Sequence, residues 1–229
     1  MSSFGEINEP STRTAWEDWD DDVHKETYPN LHLHKEKAVP AEIGVFIILE
    51  GRYFYDCIKA QHDVLEHINS IPEVNLHLFK SKTVNNYVCV IKDYNLVQSS
   101  EIVEVLKEFI LNSVEVVGLM AKPLVEYQVA HLVTSGIVIR SICTSTQTPK
   151  CLKTSFPKLE QPNIIAGVAA GALCLREIID KPAIVLVCYI EQTEEQKITE
   201  LQELLKKLEI VSNIDKVNRN NVLNSNLYI

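Results

Sequence analysis

Short, almost continuously apolar runs that alternate with segments of helical periodicity constrain the fold of this chain most. Residues 43–49 and 183–190 are strand-length, rich in Val and Ile, and nearly free of polar side chains. Such runs are typical of strands that are covered on both faces, which requires helices on each side of the sheet. The sequence therefore predicts an α/β layered sandwich with a largely parallel or mixed central sheet.

The remaining strands and the first helices are predicted from the same alternation. Three further runs are expected to complete the sheet: residues 87–91, 114–120 and 136–143. A helix is predicted to begin at Glu101 with Ser100 as its cap, because apolar residues recur there at helical spacing. Residues 54–70 are predicted to form one more helix.

Two helices are predicted in the last third of the chain. Residues 164–180 carry Gly167, Gly171 and other small residues on one narrow face, so we expect this helix to approach the sheet or another helix closely. Thr193 and Gln196 form a capping box before a leucine-rich helical segment.

Charge, apolar run length and cysteine spacing exclude several classes of partner. The net charge is -9, with 22 basic and 31 acidic residues, whereas nucleic-acid affinity comes mainly from Lys and Arg. No apolar run approaches the roughly 20 residues that span a bilayer, and the first six residues lack the pattern of a signal peptide. The six cysteines are spread without close pairing, which is typical of reduced thiols. We therefore expect no nucleic-acid or membrane partner and a cytosolic or nuclear location.

The two ends of the chain differ in composition from the middle. Residues 1–38 contain nine acids, four bases and few aliphatic side chains, so they cannot bury enough surface to offset the entropy of ordering. We predict an acidic disordered tail at 1–38, an α/β domain at 39–212 and a flexible, polar tail at 213–229. Trp16 and Trp19 within the acidic tail are either part of a solvated segment or a short docking element.

Signatures of catalysis and of cofactor or metal binding are missing from the sequence. With seven glycines, the chain has no G-x-G-x-x-G or G-x-x-x-x-G-K phosphate loop, and it also lacks C-x-x-C, H-E-x-x-H and G-x-S-x-G patterns. Cys143 and Cys188 end apolar strands and are interpreted as core residues. We therefore predict a protein without cofactor, metal or catalytic residues, although triads can assemble from distant positions.

Two segments carry a resemblance to a known family. The first runs from Leu159-Glu160-Gln161-Pro162-Asn163-Ile164 through the predicted helix and on to residues 181–189, and the second is the terminal stretch 224–229. Both resemble the proteasome assembly chaperone family, whose members guide formation of the alpha-subunit ring of the 20S proteasome. The resemblance implies a layered α/β domain similar to nucleoside phosphorylases but without their active site.

The last three residues are the predicted binding site. Leu227, Tyr228 and Ile229 give an apolar residue, a tyrosine and a free carboxylate, which is the HbYX motif by which proteasome activators and this chaperone family dock. The apolar side chain can anchor in a pocket, the tyrosine ring adds contact area and a hydroxyl, and a lysine can pair with the carboxylate.

The resemblance implies a non-enzymatic chaperone and its partners. These are proteasome assembly chaperone 2, as the second subunit of a heterodimer, and the proteasome alpha subunits, which the chaperone holds during ring assembly while preventing aberrant pairing of rings. Two alternatives stay open. One is an enzyme of phosphorylase-like fold acting on a nucleoside or another small molecule, and the other is an adaptor that docks through Trp16 and Trp19.

Overall fold

The central element of the computed structural model is a sheet whose strands and helices alternate along the chain. Residues 30–34, 39–59, 63–129, 137–146, 155–190 and 195–207 are described. Within them the strands are β1 (Ile43–Glu50), β2 (Leu65–Ile71), β3 (Leu76–Ser81), β4 (Tyr87–Ile91), β5 (Ser113–Pro123), β6 (Ile137–Cys143) and β7 (Ala183–Ile190). The helices are α1 (Arg52–Lys59), α2 (Ser99–Asn112), α3 (Val168–Ile178) and α4 (Glu195–Lys207).

The sheet is mixed, with parallel strands at its centre and antiparallel strands at its edges. Its order is β2-β3-β4-β1-β5-β7-β6. β4, β1, β5 and β7 are parallel to their neighbours in this group, whereas the β2–β3 hairpin and β6 pair antiparallel. The predicted α/β sandwich with a largely parallel or mixed sheet is therefore confirmed.

Helices cover both faces of the sheet, as the continuous apolar strands require. On one face Leu106 of α2 and Ala172 of α3 lie in an apolar cluster with side chains of β1, β4, β5 and β7. On the other face Phe54 of α1 and Leu205 of α4 pack against the opposite side chains of the same strands. Burial on both faces is the main source of stability for such strands.

Small residues bring α3 close to its neighbours. A Cβ atom built on Gly171 would lie 2.9 Å from Val103 of α2, and one on Gly118 of β5 would lie 2.9 Å from the Cβ atom of Ala169. Both distances are too short for a real contact, so the two glycines set how closely α3 approaches α2 and the sheet. The prediction that this helix packs closely is confirmed for Gly171.

The predicted helix at residues 54–70 is wrong in its second half. The helix α1 ends at Lys59, and β2 begins at Leu65. In β2 the register shifts between His67 and Asn69, so that Ile68 and Asn69 are both buried. This bulge replaces the two-residue alternation of a strand with apolar residues three positions apart, which imitates a helix.

The predicted starts of α2 and α3 also differ from the structure. Ser100 does not cap α2, because the helix begins at Ser99. The side chain of Asn95 instead accepts a hydrogen bond from the backbone N–H of Val97 in a 3-10 turn that leads into the helix. The helix α3 begins at Val168, later than the predicted start at residue 164. Thr193 lies outside the described residues, and the predicted capping box stays a prediction.

Only a short part of the predicted amino-terminal tail is described. Within residues 30–34, Leu31 is buried, and its backbone N–H donates to the carboxylate of Glu101 at 2.6 Å. This short stretch therefore packs on the domain. The predicted tail 213–229 lies outside the described residues, so the domain boundaries remain predictions. No helix among the described residues is long and apolar enough to cross a membrane.

A buried arginine ties the last turn of α3 to three other elements. The side chain of Arg176 is fully buried, and its guanidinium nitrogens donate to the carbonyl oxygens of Ile110, Ser113, Val114 and Pro182 at 2.7–3.1 Å. These carbonyls belong to the end of α2, the start of β5 and the residue before β7. Burial lowers the pKa of Arg176 to about 10, so the side chain stays charged at neutral pH.

Replacing Arg176 should therefore destabilise the domain strongly. In Arg176→Met the apolar part of the side chain is kept, but buried carbonyl oxygens lose their donor, so we expect the free energy of unfolding to fall by at least about 3 kcal/mol. Urea unfolding measures this difference. The matched control is Lys181→Met, whose exposed ammonium donates to the carbonyl oxygen of Leu111 at 2.9 Å and which should cost less than about 1 kcal/mol. Equal losses in the two variants would contradict this role of Arg176.

Candidate functional site at the carboxyl end of the sheet

In open α/β folds, binding sites usually lie at the carboxyl ends of the parallel strands. Ligands of open α/β sheets bind in the crevice outside these strand ends. Here Glu50 is the last residue of β1, which lies between β4 and β5 at the centre of the sheet. Gly51 follows with a φ of 120°, a conformation that favours glycine and that turns the chain directly into α1.

The carboxylate of Glu50 caps the amino terminus of α3. Glu50 is 6% exposed. One of its oxygens accepts a hydrogen bond from the N–H of Val168 at 2.7 Å, and the other accepts from the N–H of Ala169 at 3.0 Å. The hydroxyl of Tyr94 donates to the same carboxylate. The first free N–H groups of α3 are thus satisfied by a side chain from the centre of the sheet.

Gly167 allows this close approach. Its φ is 115°, and a Cβ atom built on it would lie 2.6 Å from the hydroxyl oxygen of Tyr94 and 2.7 Å from a carboxylate oxygen of Glu50. Any side chain at this position would displace the cap as well as strain the backbone. The glycine that the sequence analysis placed inside a helix therefore serves the turn that precedes it.

Burial raises the pKa of Glu50 above its ordinary value. The loss of solvent is the largest effect and outweighs three hydrogen bonds, from Tyr94, Ala169 and Val168, and the nearby charge of Lys122, all of which lower the pKa. Burial, and after it the negative charge of Glu50, raises the pKa of the Tyr94 hydroxyl. Glu50 and Tyr94 thus form one buried polar unit whose hydrogen bonds are made within the chain.

A second polar cluster holds the segment that resembles the chaperone family. The carboxylate of Glu160 accepts from Nε of Arg140 at 3.0 Å and from the hydroxyl of Tyr127 at 2.9 Å. The guanidinium of Arg140 lies over the Tyr127 ring, 5.2 Å from its centroid, and the rings of Tyr127 and Tyr189 are 4.8 Å apart. Glu160 therefore links β6 to the turn after β5, and Tyr127 in that turn contacts β7 through Tyr189.

Asn163 fixes the next turn of the same segment. Its side chain accepts from the N–H of Gln128 and donates to the carbonyl oxygen of Gln128, both at 2.8 Å. It also donates to the carbonyl oxygen of Glu160 at 2.9 Å. The polar groups of Glu160 and Asn163 are thus used inside the domain, which supports a structural junction over direct contact with a partner.

A shallow cleft lies beside this junction. Its volume is about 300 Å³, and Lys122, Glu126, Asn163 and Tyr189 are among the residues that line it. The ammonium of Lys122 pairs with the carboxylate of Glu126 at 3.4 Å. The cleft is open to solvent, unlike the enclosed pocket of a typical small-molecule site.

Large apolar side chains are exposed around the same end of the sheet. Val125 is 90% exposed in the turn after β5, and Ile164 is 80% exposed just before α3. Leu96 and Val97 are exposed in the turn that precedes α2. Such residues are typical of contact surfaces where they form a contiguous patch, whereas single ones are common on any protein surface.

All three predicted binding residues lie outside the described part of the chain, so their role stays a prediction. Leu227, Tyr228 and Ile229 lie outside the described residues, as do Trp16 and Trp19. Cys188 is buried, and burial raises its pKa to about 12, whereas Cys143 is half-buried. Among the described residues no three His, Cys, Asp or Glu side chains are grouped to hold a metal ion.

Glu50 and Tyr94 are not among the residues predicted from the sequence. A signal was present, because Glu50 is an acidic residue at the end of an otherwise apolar strand and is followed by a glycine. Such a residue lies at the carboxyl edge of a parallel sheet, where polar side chains meet. The sequence did not show that α3 would begin at this place.

Comparison with known proteins identifies the fold. No protein-family model matches the sequence, and no curated protein matches it significantly. Among solved structures, the archaeal homolog of proteasome-assembly chaperone PbaA from Pyrococcus furiosus superposes with a TM-score of 0.56 at 13% identity, covering 82% of this chain and 90% of that chain. The archaeal proteasome activator PbaB from the same organism has a TM-score of 0.52 at 11% identity, covering 81% and 91%.

A third structure extends the same likeness. A protein of unknown function from Thermoplasma acidophilum has a TM-score of 0.56 at 9% identity and covers 78% of this chain and 82% of that chain. At these identities the comparisons show the fold alone. The chain therefore has the fold of archaeal proteasome-assembly chaperone homologues, as the sequence resemblance implied.

The raised pKa of Glu50 predicts how stability depends on pH. Between the ordinary value of 4.5 and the higher folded value, the folded state keeps a proton that the unfolded chain has lost. The wild-type protein should therefore lose stability relative to Glu50→Gln as the pH rises through this window, by at most about 1.4 kcal/mol per pH unit. Urea unfolding of both proteins between pH 4 and pH 8 provides the measurement.

Tyr94→Phe supplies the matched variant for this prediction. It removes a hydrogen bond that lowers the pKa of Glu50, so the window in which stability declines should extend to higher pH. A wild-type pH profile that runs parallel to that of Glu50→Gln would contradict the raised pKa.

Proposed function

We propose that this protein is a non-enzymatic proteasome assembly chaperone, specifically proteasome assembly chaperone 1. The observation that carries the proposal is the fold, which is shared with the archaeal chaperone homolog PbaA over most of both chains. The resemblance of residues 159–189 and of the terminal stretch 224–229 supports it independently, because it rests on sequence and not on backbone shape.

In this proposal the protein acts with proteasome assembly chaperone 2 as a heterodimer. The pair holds proteasome alpha subunits while the ring of the 20S proteasome is built, and prevents unfinished rings from pairing wrongly. Its location is the cytoplasm, and also the nucleus. The exposed apolar residues at the carboxyl end of the sheet, Val125 and Ile164 among them, suit a protein that works by binding other proteins.

The carboxyl end of the sheet supports a binding role over catalysis. Glu50 and Tyr94 hydrogen-bond to each other and to the start of α3, so neither directs a free polar group at the cleft. The cleft beside the junction is open to solvent and partly lined by the Lys122–Glu126 ion pair. A small-molecule enzyme would need convergent polar groups in an enclosed pocket.

The proposed docking element is the carboxyl terminus. Leu227 supplies an apolar anchor, Tyr228 an aromatic ring with a hydroxyl, and Ile229 the free carboxylate. Together they suit a pocket that lies between neighbouring alpha subunits and contains a lysine. The approach, residues 218–226, is polar and free of acids, which leaves the carboxylate of Ile229 as the negative charge of the segment.

Variants of the last three residues test the proposed docking. Tyr228→Ala should weaken binding to purified alpha rings by at least about thirtyfold, because loss of a buried aromatic anchor commonly costs about 2 kcal/mol or more. The melting temperature should stay nearly unchanged, since the tail adds no apolar stripe to the core. Surface plasmon resonance and thermal unfolding measure the two effects.

Adding one residue after Ile229 tests the role of the terminal carboxylate most directly. It keeps every side chain but moves the carboxylate by about 3.5 Å, so binding should fall nearly as much as in Tyr228→Ala. Asn224→Ala, in the polar approach, should bind like the unaltered protein. If the extended protein binds alpha rings as tightly as the unaltered one, attachment lies on the folded domain.

The partners are tested by affinity purification from cells followed by identification of the bound chains. Recovery of a second assembly chaperone together with alpha subunits supports the proposal. Recovery of neither, from cells in which the protein is stably folded, argues against it.

A further inference from the structure

We propose that His67 and His77 of the β2–β3 hairpin bind one divalent transition-metal ion of the Zn²⁺ type. The two imidazole groups supply two of its ligands, and water completes the coordination, since no third His, Cys, Asp or Glu among the described residues is grouped with them. The proposal concerns the folded domain and does not depend on the chaperone function.

The first support is that the β-bulge in β2 brings the two histidines to the same face of the hairpin. His77 pairs with Ser70, and beyond the register shift His67 pairs with Phe79. Without the shift, the pairing of Ser70 with His77 would place His67 opposite Lys80, whose side chain lies on the other face from that of His77. Bulges of this kind commonly re-aim a side chain next to a functional site.

The second support is the distance between the two rings. The ring centroids of His67 and His77 are 5.7 Å apart. Two imidazoles bound to one tetrahedral zinc ion have centroids about 5 Å apart, because each ligand nitrogen lies about 2.0–2.1 Å from the metal. Small rotations of the two side chains therefore bring one nitrogen of each ring within bonding distance of a shared ion, and imidazole is a ligand that suits zinc and its neighbours.

The third support is that the two rings are accessible and yet restrained by their neighbours. His67 is exposed and His77 is half-buried, so an ion and its waters can reach both. The ring of Phe79 lies 5.3 Å from that of His67, and the ring of Tyr55 in α1 lies 5.3 Å from that of His77, measured between centroids. These contacts limit the motion of both imidazoles before an ion binds, which lowers the entropic cost of binding.

The charge state of the pair also suits a metal ion. Burial, and after it the charge of His67, lowers the pKa of His77. Its imidazole is therefore mostly neutral at neutral pH, and the neutral form is the one that binds metal. The ammonium of Lys92 lies 5.4 Å from the centroid of the Tyr55 ring. This positive charge and the small number of protein ligands predict weaker binding than at a structural zinc site with four protein ligands.

The test is calorimetric titration of the full-length protein with zinc chloride at neutral pH. We expect His67→Ala and His77→Ala each to weaken zinc binding by at least about tenfold, which is the loss that removal of even an outer-shell partner typically causes. The matched control is the double variant His32→Ala and His34→Ala, which removes the other closely spaced histidine pair among the described residues and should bind zinc like the wild type.

NMR spectra of the wild-type protein locate the bound ion. Zinc should shift the ring C–H signals of His67 and His77 and leave those of His32 and His34 in place. Absence of zinc binding in the wild type, undiminished binding in His67→Ala and His77→Ala, or loss of binding in the control variant would overturn the proposal. If His77→Ala is unfolded, His67→Ala decides the outcome, because its substitution lies at an exposed position.

Discussion

A single helix, α3, is held at both ends by buried charges, and the arrangement of the sheet depends on these two contacts. At its start the carboxylate of Glu50 accepts two backbone N–H groups. In its last turn the guanidinium of Arg176 reaches carbonyl oxygens at the end of α2, the start of β5 and the residue before β7. Each charge has the sign that stabilises its end of the helix dipole. The two contacts fix α3 along its axis, while Gly118 and Gly171 fix its distance from β5 and α2.

The anchoring of α3 by Glu50 limits what the carboxyl end of the sheet can bind. In folds of this kind the start of a helix beside the central strand is a favourable place for an anionic ligand. Here the chain uses that place for its own stability, and Tyr94 and Gly167 leave no room beside Glu50. Near this end of the sheet, the described residues also form an open cleft lined by Lys122 and Ile164, and the side chain of Val125 is exposed.

The strands that could be predicted from the sequence are those whose hydrophobic pattern matches their burial in the folded sheet. β4 and β7 match their predicted bounds because every position is apolar and both faces are covered. β2 could not be predicted, since its bulge removes the alternation that marks a strand. β3 was also missed, although Leu76 and Leu78 alternate with more exposed side chains. A strand of six residues gives only a weak pattern when it follows a segment that is predicted to be a helix. The cap on α3 could not be predicted either, because it joins residues 118 positions apart.

The two lines of support for a chaperone role come from different parts of the chain and have different physical origins. Residues 159–163 make contacts inside the domain, through Glu160 with Arg140 and through Asn163 with Gln128. The resemblance in that segment thus concerns residues with a structural role, and it agrees with the superposition on PbaA although it rests on sequence. The sequence suggests no packing role for the terminal Leu227-Tyr228-Ile229, because the residues that precede it are mostly polar. The docking hypothesis therefore depends on the tail, whereas the assignment of the fold depends on the domain.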